Sequence, residues 1–135
     1  MECDEVMLTV RITAGERALL RRLAQGHRSD VSEVVADGLL DVLPMVAATT
    51  ADAYRFLAAL TPPAPCAQTV WLPTALSDLL VLAAARVAQA TGVRLGSASA
   101  VLGAAVRLWL SQDPQRLAAN LHTMHEGRSA ALTAA

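Results

Sequence analysis

Apolar and polar residues alternate along Leu8-Thr9-Val10-Arg11-Ile12, so that Leu8, Val10 and Ile12 fall on one side and Met7, Thr9, Arg11 and Thr13 on the other. A period of two is the pattern of a half-buried strand. The pattern then changes to the helical period. Leu19, Leu20, Leu23 and Ala24 share one face, and after Gly26 so do Val31, Val34, Val35, Gly38, Leu39 and Val42. The same order returns further on. Val70 and Leu72 alternate with Ala67, Thr69 and Trp71, and Leu76, Leu79, Leu80, Ala83 and Val87 form a helical stripe. Beyond Gly92 a second stripe runs through Ala98, Val101, Leu102, Ala105, Val106 and Trp109. The chain predicts strand, helix, helix, twice over, and these stripes read first of all as core.

Thr9-Val10-Arg11-Ile12-Thr13 corresponds to Thr69-Val70-Trp71-Leu72-Pro73, and Ser32-Glu33-Val34-Val35 to Ser99-Ala100-Val101-Leu102. The spacing differs between copies. Thr9 to Ser32 is a shift of 23, Thr69 to Ser99 a shift of 30, and most of the seven extra residues lie in Ala83 to Gly92. They are expected to lengthen the first helix of the second copy by one to two turns. One strand cannot satisfy its own backbone, and a unit of this size buries too little surface to stand alone. The copies must therefore pair, either within one chain as a pseudo-dimer with one ribbon or with their equivalents in a second chain. Pairing within the chain is preferred, because the linker keeps the halves at high effective concentration.

The linker, residues 44–66, divides into a helix over Thr50 to Leu60, with Thr50 a candidate cap, and a stiff spacer Thr61-Pro62-Pro63-Ala64-Pro65. Tyr54, Phe56 and Leu57 are expected to pack on the core. After the second repeat, Gln112-Asp113-Pro114 stops and restarts the helical pattern, and Leu117, Ala118, Leu121 and Met124 form a stripe before Gly127. The organisation expected is a first repeat at 6–43, the linker, a second repeat at 67–112 and a C-terminal helix and tail at 113–135. All four belong to one compact domain, mainly α with a short two-stranded antiparallel ribbon.

Thr-Val-Arg-Ile-Thr, a helix, Gly26-His27-Arg28 and then Ser29-Asp30-Val31-Ser32-Glu33-Val34-Val35 resemble the ribbon-helix-helix DNA-binding proteins, the MetJ/Arc/CopG-like repressors and antitoxins. Gly92-Val93-Arg94-Leu95-Gly96-Ser97-Ala98-Ser99-Ala100-Val101 is similar to the ParD-type antitoxin branch. The resemblance covers Val6 to Leu43 and Ala67 to Leu110, and its motifs are short. It implies a tandem arrangement with one strand from each half in a ribbon lying in the major groove of double-stranded DNA, which a two-stranded ribbon fits. By position Thr9, Arg11, Thr69 and Trp71 are the base-reading candidates, flanked by Met7 and Ala67. Arg11 is the bidentate donor suited to guanine, and threonine bonds a base or touches a thymine methyl. Trp71 departs from the pattern, with a bulky ring and one donor. It either contacts thymine or sugar, or packs against a neighbouring segment or a second molecule.

The resemblance also implies a phosphate contact where the second helix of each repeat begins, since free backbone donors and the helix dipole favour an anion there. The candidates are Arg28 and Ser29 in the first copy and Arg94, Gly96 and Ser97 in the second. In the first copy Asp30 is the expected cap and Glu33 completes a capping box, which puts negative charge where phosphate belongs. Capping alone also accounts for these residues. The family offers one more possibility, a toxin or other protein partner held by the segment after the last helix; the alternative, and the preferred one, is a tail helix packed back on the core or on a second subunit.

Charge moderates the DNA reading. The chain has a formal net charge of -1, and all 11 of its Lys+Arg residues are arginine. Residues 1–66 hold six Arg against nine acids, and residues 67–135 five against three, so the halves stand at -3 and +2. Few phosphate contacts, about four, and a shallow salt dependence are expected. Cys3 and Cys66 each precede a strand, at opposite ends of an antiparallel ribbon, and are expected as free thiols. His122 and His125 share a face but lack a third ligand, and His27 is far away, so no metal and no cofactor are assigned. No nucleophile, carboxylate pair or phosphate loop stands in a catalytic context, so an enzyme is not expected. No run of 18 apolar residues is free of charge, and Met1-Glu2-Cys3-Asp4-Glu5 is acidic. The expectation is a soluble cytoplasmic regulator, a transcriptional repressor reading DNA through its ribbon, with an antitoxin-like or scaffold interaction module as the alternative.

Overall fold

The structure, a computed structural model, describes residues 5–26, 28–60, 62–113 and 115–122. It is mainly helical around one two-stranded antiparallel sheet. Strand β1 (Glu5–Ile12) leads into α1 (Ala14–Gly26) and α2 (Val31–Val42); a 3-10 turn (Leu43–Met45) and α3 (Thr50–Ala58) follow. Strand β2 (Cys66–Pro73) leads into α4 (Thr74–Thr91) and α5 (Ala98–Leu110), and α6 spans residues 115–122. The strands pair within the chain, with Thr9 opposite Thr69, Met7 opposite Trp71 and Arg11 opposite Ala67. The register is centred on the Thr9–Thr69 pair.

The alternation of each strand sets its faces. Val10, Ile12, Val70 and Leu72 are fully buried, and Met7, Thr9, Arg11, Ala67, Thr69 and Trp71 are exposed. Four helices, α1, α2, α3 and α5, have starts that a side-chain cap explains. At α1 the Thr13 Oγ1 accepts from Glu16 N at 3.1 Å while Thr13 N donates to Glu16 Oε1 at 2.8 Å, a reciprocal capping box. Asp30 caps α2 and Ser97 caps α5. Thr49, not Thr50, caps α3 by accepting from Asp52 N at 3.1 Å. The correction is one residue, and the hydroxyl one place further on already lies inside the helix.

The extra residues of the second repeat are where the alanine-rich stretch puts them. Helix α4 has 18 residues against 13 in α1, five of the seven, and the loop to α5 holds the other two. Gly92 closes α4 in the left-handed region at φ 78°, the usual glycine cap. In the first repeat that conformation falls instead on Arg28 (φ 51°), whose N–H reaches Gln25 O while Ser29 N reaches Ala24 O at 3.0 Å.

Helix α5 is the centre of the molecule. Every residue from Val101 to Arg107 is buried, as are Trp109 and Leu110, with β1, α2, α3 and α4 packed around them. Gly38 of α2 makes this possible, because a Cβ there would stand 2.6 to 2.9 Å from three ring atoms of Trp109. Trp109 Nε1 donates to Asp41 Oδ2 at 3.0 Å, which also accepts from Asn120 Nδ2 at 3.2 Å. A second, half-buried bond system ties α5 to α1 and the linker: Arg107 Nε donates to both Glu16 oxygens (3.1 and 3.3 Å) and its Nη1 to Pro62 O at 2.8 Å.

Two expectations of burial change, and the preferred one for the tail holds. Leu79 is exposed, on the rim of a hollow that Leu43 and Pro44 border but do not close. Tyr54 is exposed, while its neighbours Ala53 and Phe56 carry α3 onto the core and Leu57 is half-buried. The tail packs back: Leu117 and Leu121 are buried and Ala118 is half-buried. Met124, His125 and Gly127 lie outside the described residues.

Candidate nucleic-acid interface

The outward face of the ribbon brings the four base-reading candidates together on one exposed surface. Thr9 and Thr69 stand side by side at its centre, Arg11 toward one end and Trp71 toward the other. The central pair is small and polar, so the middle of the face is flat. Arg11 Nη1 donates to Pro65 O at 3.3 Å across exposed surface, a long bond that a better acceptor replaces at little cost. Trp71 is 52% exposed and Met7, its cross-strand neighbour, 57%, so the indole packs on no segment deeply enough to be covered.

The two ends of the ribbon have different surroundings. At the Trp71 end, Ser32 Oγ accepts the backbone N–H of Trp71 at 2.9 Å, which ties the start of α2 to β2. Glu5, Asp30, Glu33, Trp71 and Pro73 border a hollow of about 560 Å³ there, with Asp30 Oδ1 accepting from Glu33 N at 2.8 Å. Three carboxylates thus surround the helix start. Asp30 supplies its half of the expected box, and the reciprocal form is found at Thr13 and Glu16.

At the Arg11 end, α5 passes close beneath the strand: a Cβ on Gly103 would lie 3.6 Å from Val10 Cγ2 and 3.9 Å from the Arg11 carbonyl oxygen. The start of α5 borders a hollow of about 200 Å³ lined by Leu95, Gly96, Ser97, Ala98, Val101 and two α4 residues, without a carboxylate. Ser97 Oγ accepts from Ala100 N at 3.1 Å. Gly96 is exposed with open space where a Cβ would go, and Arg94 is exposed.

The phosphate candidates of the two copies are therefore unequal. Arg94, Gly96 and Ser97 form an open, uncharged-to-basic helix start. Ser29 precedes the cap rather than being it, its backbone N–H is already taken by Ala24 O, and only its hydroxyl is left to offer. Arg28 is exposed beside Asp30 in the chain. The periodic pattern missed two participants. Ser32 was legible as the repeated serine that matches Ser99, but not its bond to Trp71. Arg107, buried in an apolar helix, had no sequence signal except the Thr13-x-x-Glu16 spacing of its partner.

Cys66 is a free thiol opposite Ile12, at the far end of the ribbon from the start of β1. No helix among the described residues is long and apolar enough to cross a membrane. No family model, curated protein or solved structure matches the chain. The resemblance to ribbon-helix-helix proteins accordingly rests on the residues quoted for it.

Proposed function

We propose that the chain is a single-chain pseudo-dimer of two ribbon-helix-helix repeats that binds double-stranded DNA and regulates transcription, as a repressor, with its ribbon in the major groove. The observation that carries this reading is the intrachain ribbon, paired about Thr9 and Thr69, whose exposed face holds Arg11 and two threonines. A ribbon of this form fits the groove, and these side chains suit base edges. Arg11 donates to guanine, and Thr9 and Thr69 contact the central bases. Arg94, Gly96 and Ser97 favour a phosphate at the Arg11 end, where no carboxylate lines the helix start.

A second reading is favoured by the other end of the ribbon. Glu5, Asp30 and Glu33 around Trp71 oppose a phosphate and suit a protein surface. Selection of duplexes from a random pool at about 0.1 M salt, with Arg11→Ala beside the natural chain, tests the first reading. It predicts an enriched short motif that the variant loses. A folded protein that enriches nothing would overturn it in favour of a protein partner.

A further inference from the structure

The outer face of α4 is apolar where that of α1 is basic. Carrying the repeat alignment from the strands into these helices sets Leu80 against Leu20 and Ala83 against Leu23, all buried, so the register holds inside. Outside, Val81 and Leu82 stand where α1 has Arg21 and Arg22. Leu82 is 55% exposed and Leu79, one turn before it, 40%, while Val81, 62% exposed, borders the start of α5. Beside Leu79 and Leu82 lies a hollow of about 240 Å³ whose other walls are Leu43, Pro44, Ala83 and Arg86. Such a face on a folded protein marks a contact rather than a neutral surface.

The residues along this face identify the occupant. Leu82 lies at the middle of the 18-residue helix. Asp78 stands one turn before it and Arg86 one turn after, both exposed, with Leu79 and Ala85 as the next symmetric pair. An antiparallel copy of the same helix, turned about a two-fold axis through Leu82, sets Leu82 on its own equivalent and each Asp78 against an Arg86. It also sets each Leu79 against the small Ala85, beside the hollow. A parallel copy would set like charges together. This is the self-complementarity that an isologous two-fold interface requires.

We infer that α4 is a homodimer interface, with a second copy of this chain as its partner through an antiparallel α4–α4 contact centred on Leu82. The inference goes beyond the DNA reading and does not depend on it. It gives the lengthening of α4 a use, since only the longer helix extends as far beyond Leu82 as before it. The first repeat is barred from the same contact, because α1 would meet its copy with Arg21 and Arg22 on both sides, and like charges in contact disfavour association.

Sedimentation velocity of the full chain between about 1 and 100 μM tests it, a range that brackets a one-helix interface of modest area. The apparent mass should rise with concentration from 14.1 kDa toward twice that value. Leu82→Glu, an exposed position whose change leaves the core intact, should hold it at the monomer mass throughout. Asp78→Arg and Arg86→Asp should each weaken the dimer about tenfold, by setting like charges face to face, while the double exchange restores it. A monomer at every concentration, a dimer indifferent to Leu82→Glu, or a double exchange as weak as the single ones would overturn the inference.

Discussion

The two repeats agree where they are buried and part company where they are exposed. Val10 and Val70, Ile12 and Leu72, Leu20 and Leu80, Val34 and Val101, and Val35 and Leu102 are matched core positions. On the surface, Arg11 corresponds in sequence to Trp71 and Arg21 and Arg22 to Val81 and Leu82, while Asp30 caps α2 and Ser97 caps α5. The matched positions constrain the interior, while the outer faces are free to differ. Neither net charge nor the repeat pattern alone describes the surface: one half offers arginine at the ribbon and along α1, the other a helix start without a lining carboxylate and exposed leucines on α4.

The halves also differ where they meet, and that difference is the most sensitive to mutation. Trp109 lies on Gly38; the corresponding residues with roles exchanged are Val42 and Ala105. Trp109→Val should cost about 3 kcal/mol through the cavity it leaves. Gly38→Ala should cost about 1 to 3 kcal/mol through overpacking against the ring. The double variant makes the two contacts alike and should cost clearly less than the sum. Urea denaturation of the three proteins measures this, and additive losses would show that the contact is not a matched pair.

Next comes the buried arginine. Glu16→Leu removes the carboxylate that holds Arg107 and should cost about 3 kcal/mol by leaving a buried charge unpaired. The corresponding positions in the other arrangement are Leu76 and Leu40. Changing both Glu16 and Arg107 to leucine should therefore recover most of the loss, read again as a denaturation midpoint. If the double variant is no better than Glu16→Leu alone, the bond to Pro62 O is what matters.

Smaller effects separate the two helix starts. Ser97→Ala should lose about 1 kcal/mol of stability with its cap. Asp30→Ser keeps a capping oxygen, so stability should hold within a few tenths of a kcal/mol, about the spread among good caps. Removing its charge should tighten duplex binding by about 0.3 to 1 kcal/mol, the usual size of a helix-end charge effect. Anisotropy titrations at matched salt measure the second effect, and unchanged affinity would mean that the α2 start stays away from DNA.

Much of this was legible because periodicity is a backbone property. The strand faces, the helix stripes and the position of the extra residues all follow from spacing, and the capping residues place the starts of α2, α3 and α5 to within a residue. Leu79 and Tyr54 were misread because a stripe reports which residues are apolar, not whether another element covers them. Arg107 and Asp41 were invisible because their partners lie far off in other helices, Glu16 91 residues from Arg107 and Trp109 and Asn120 68 and 79 residues from Asp41. The inequality of the ribbon ends was half legible: Asp30 and Glu33 stand beside Ser29 in the chain, but the approach of Glu5 and Trp71 to them needs the fold.

The most direct test compares Arg11→Ala with Trp71→Ala on the duplex selected by the natural chain. Arg11→Ala should lose about 1 to 3 kcal/mol of binding and relax preference at one base position, as for a bidentate contact to guanine, while Trp71→Ala changes affinity by less than about 1 kcal/mol. Equal losses from the two variants, or none from Arg11→Ala, would contradict a ribbon that reads DNA through its arginine end.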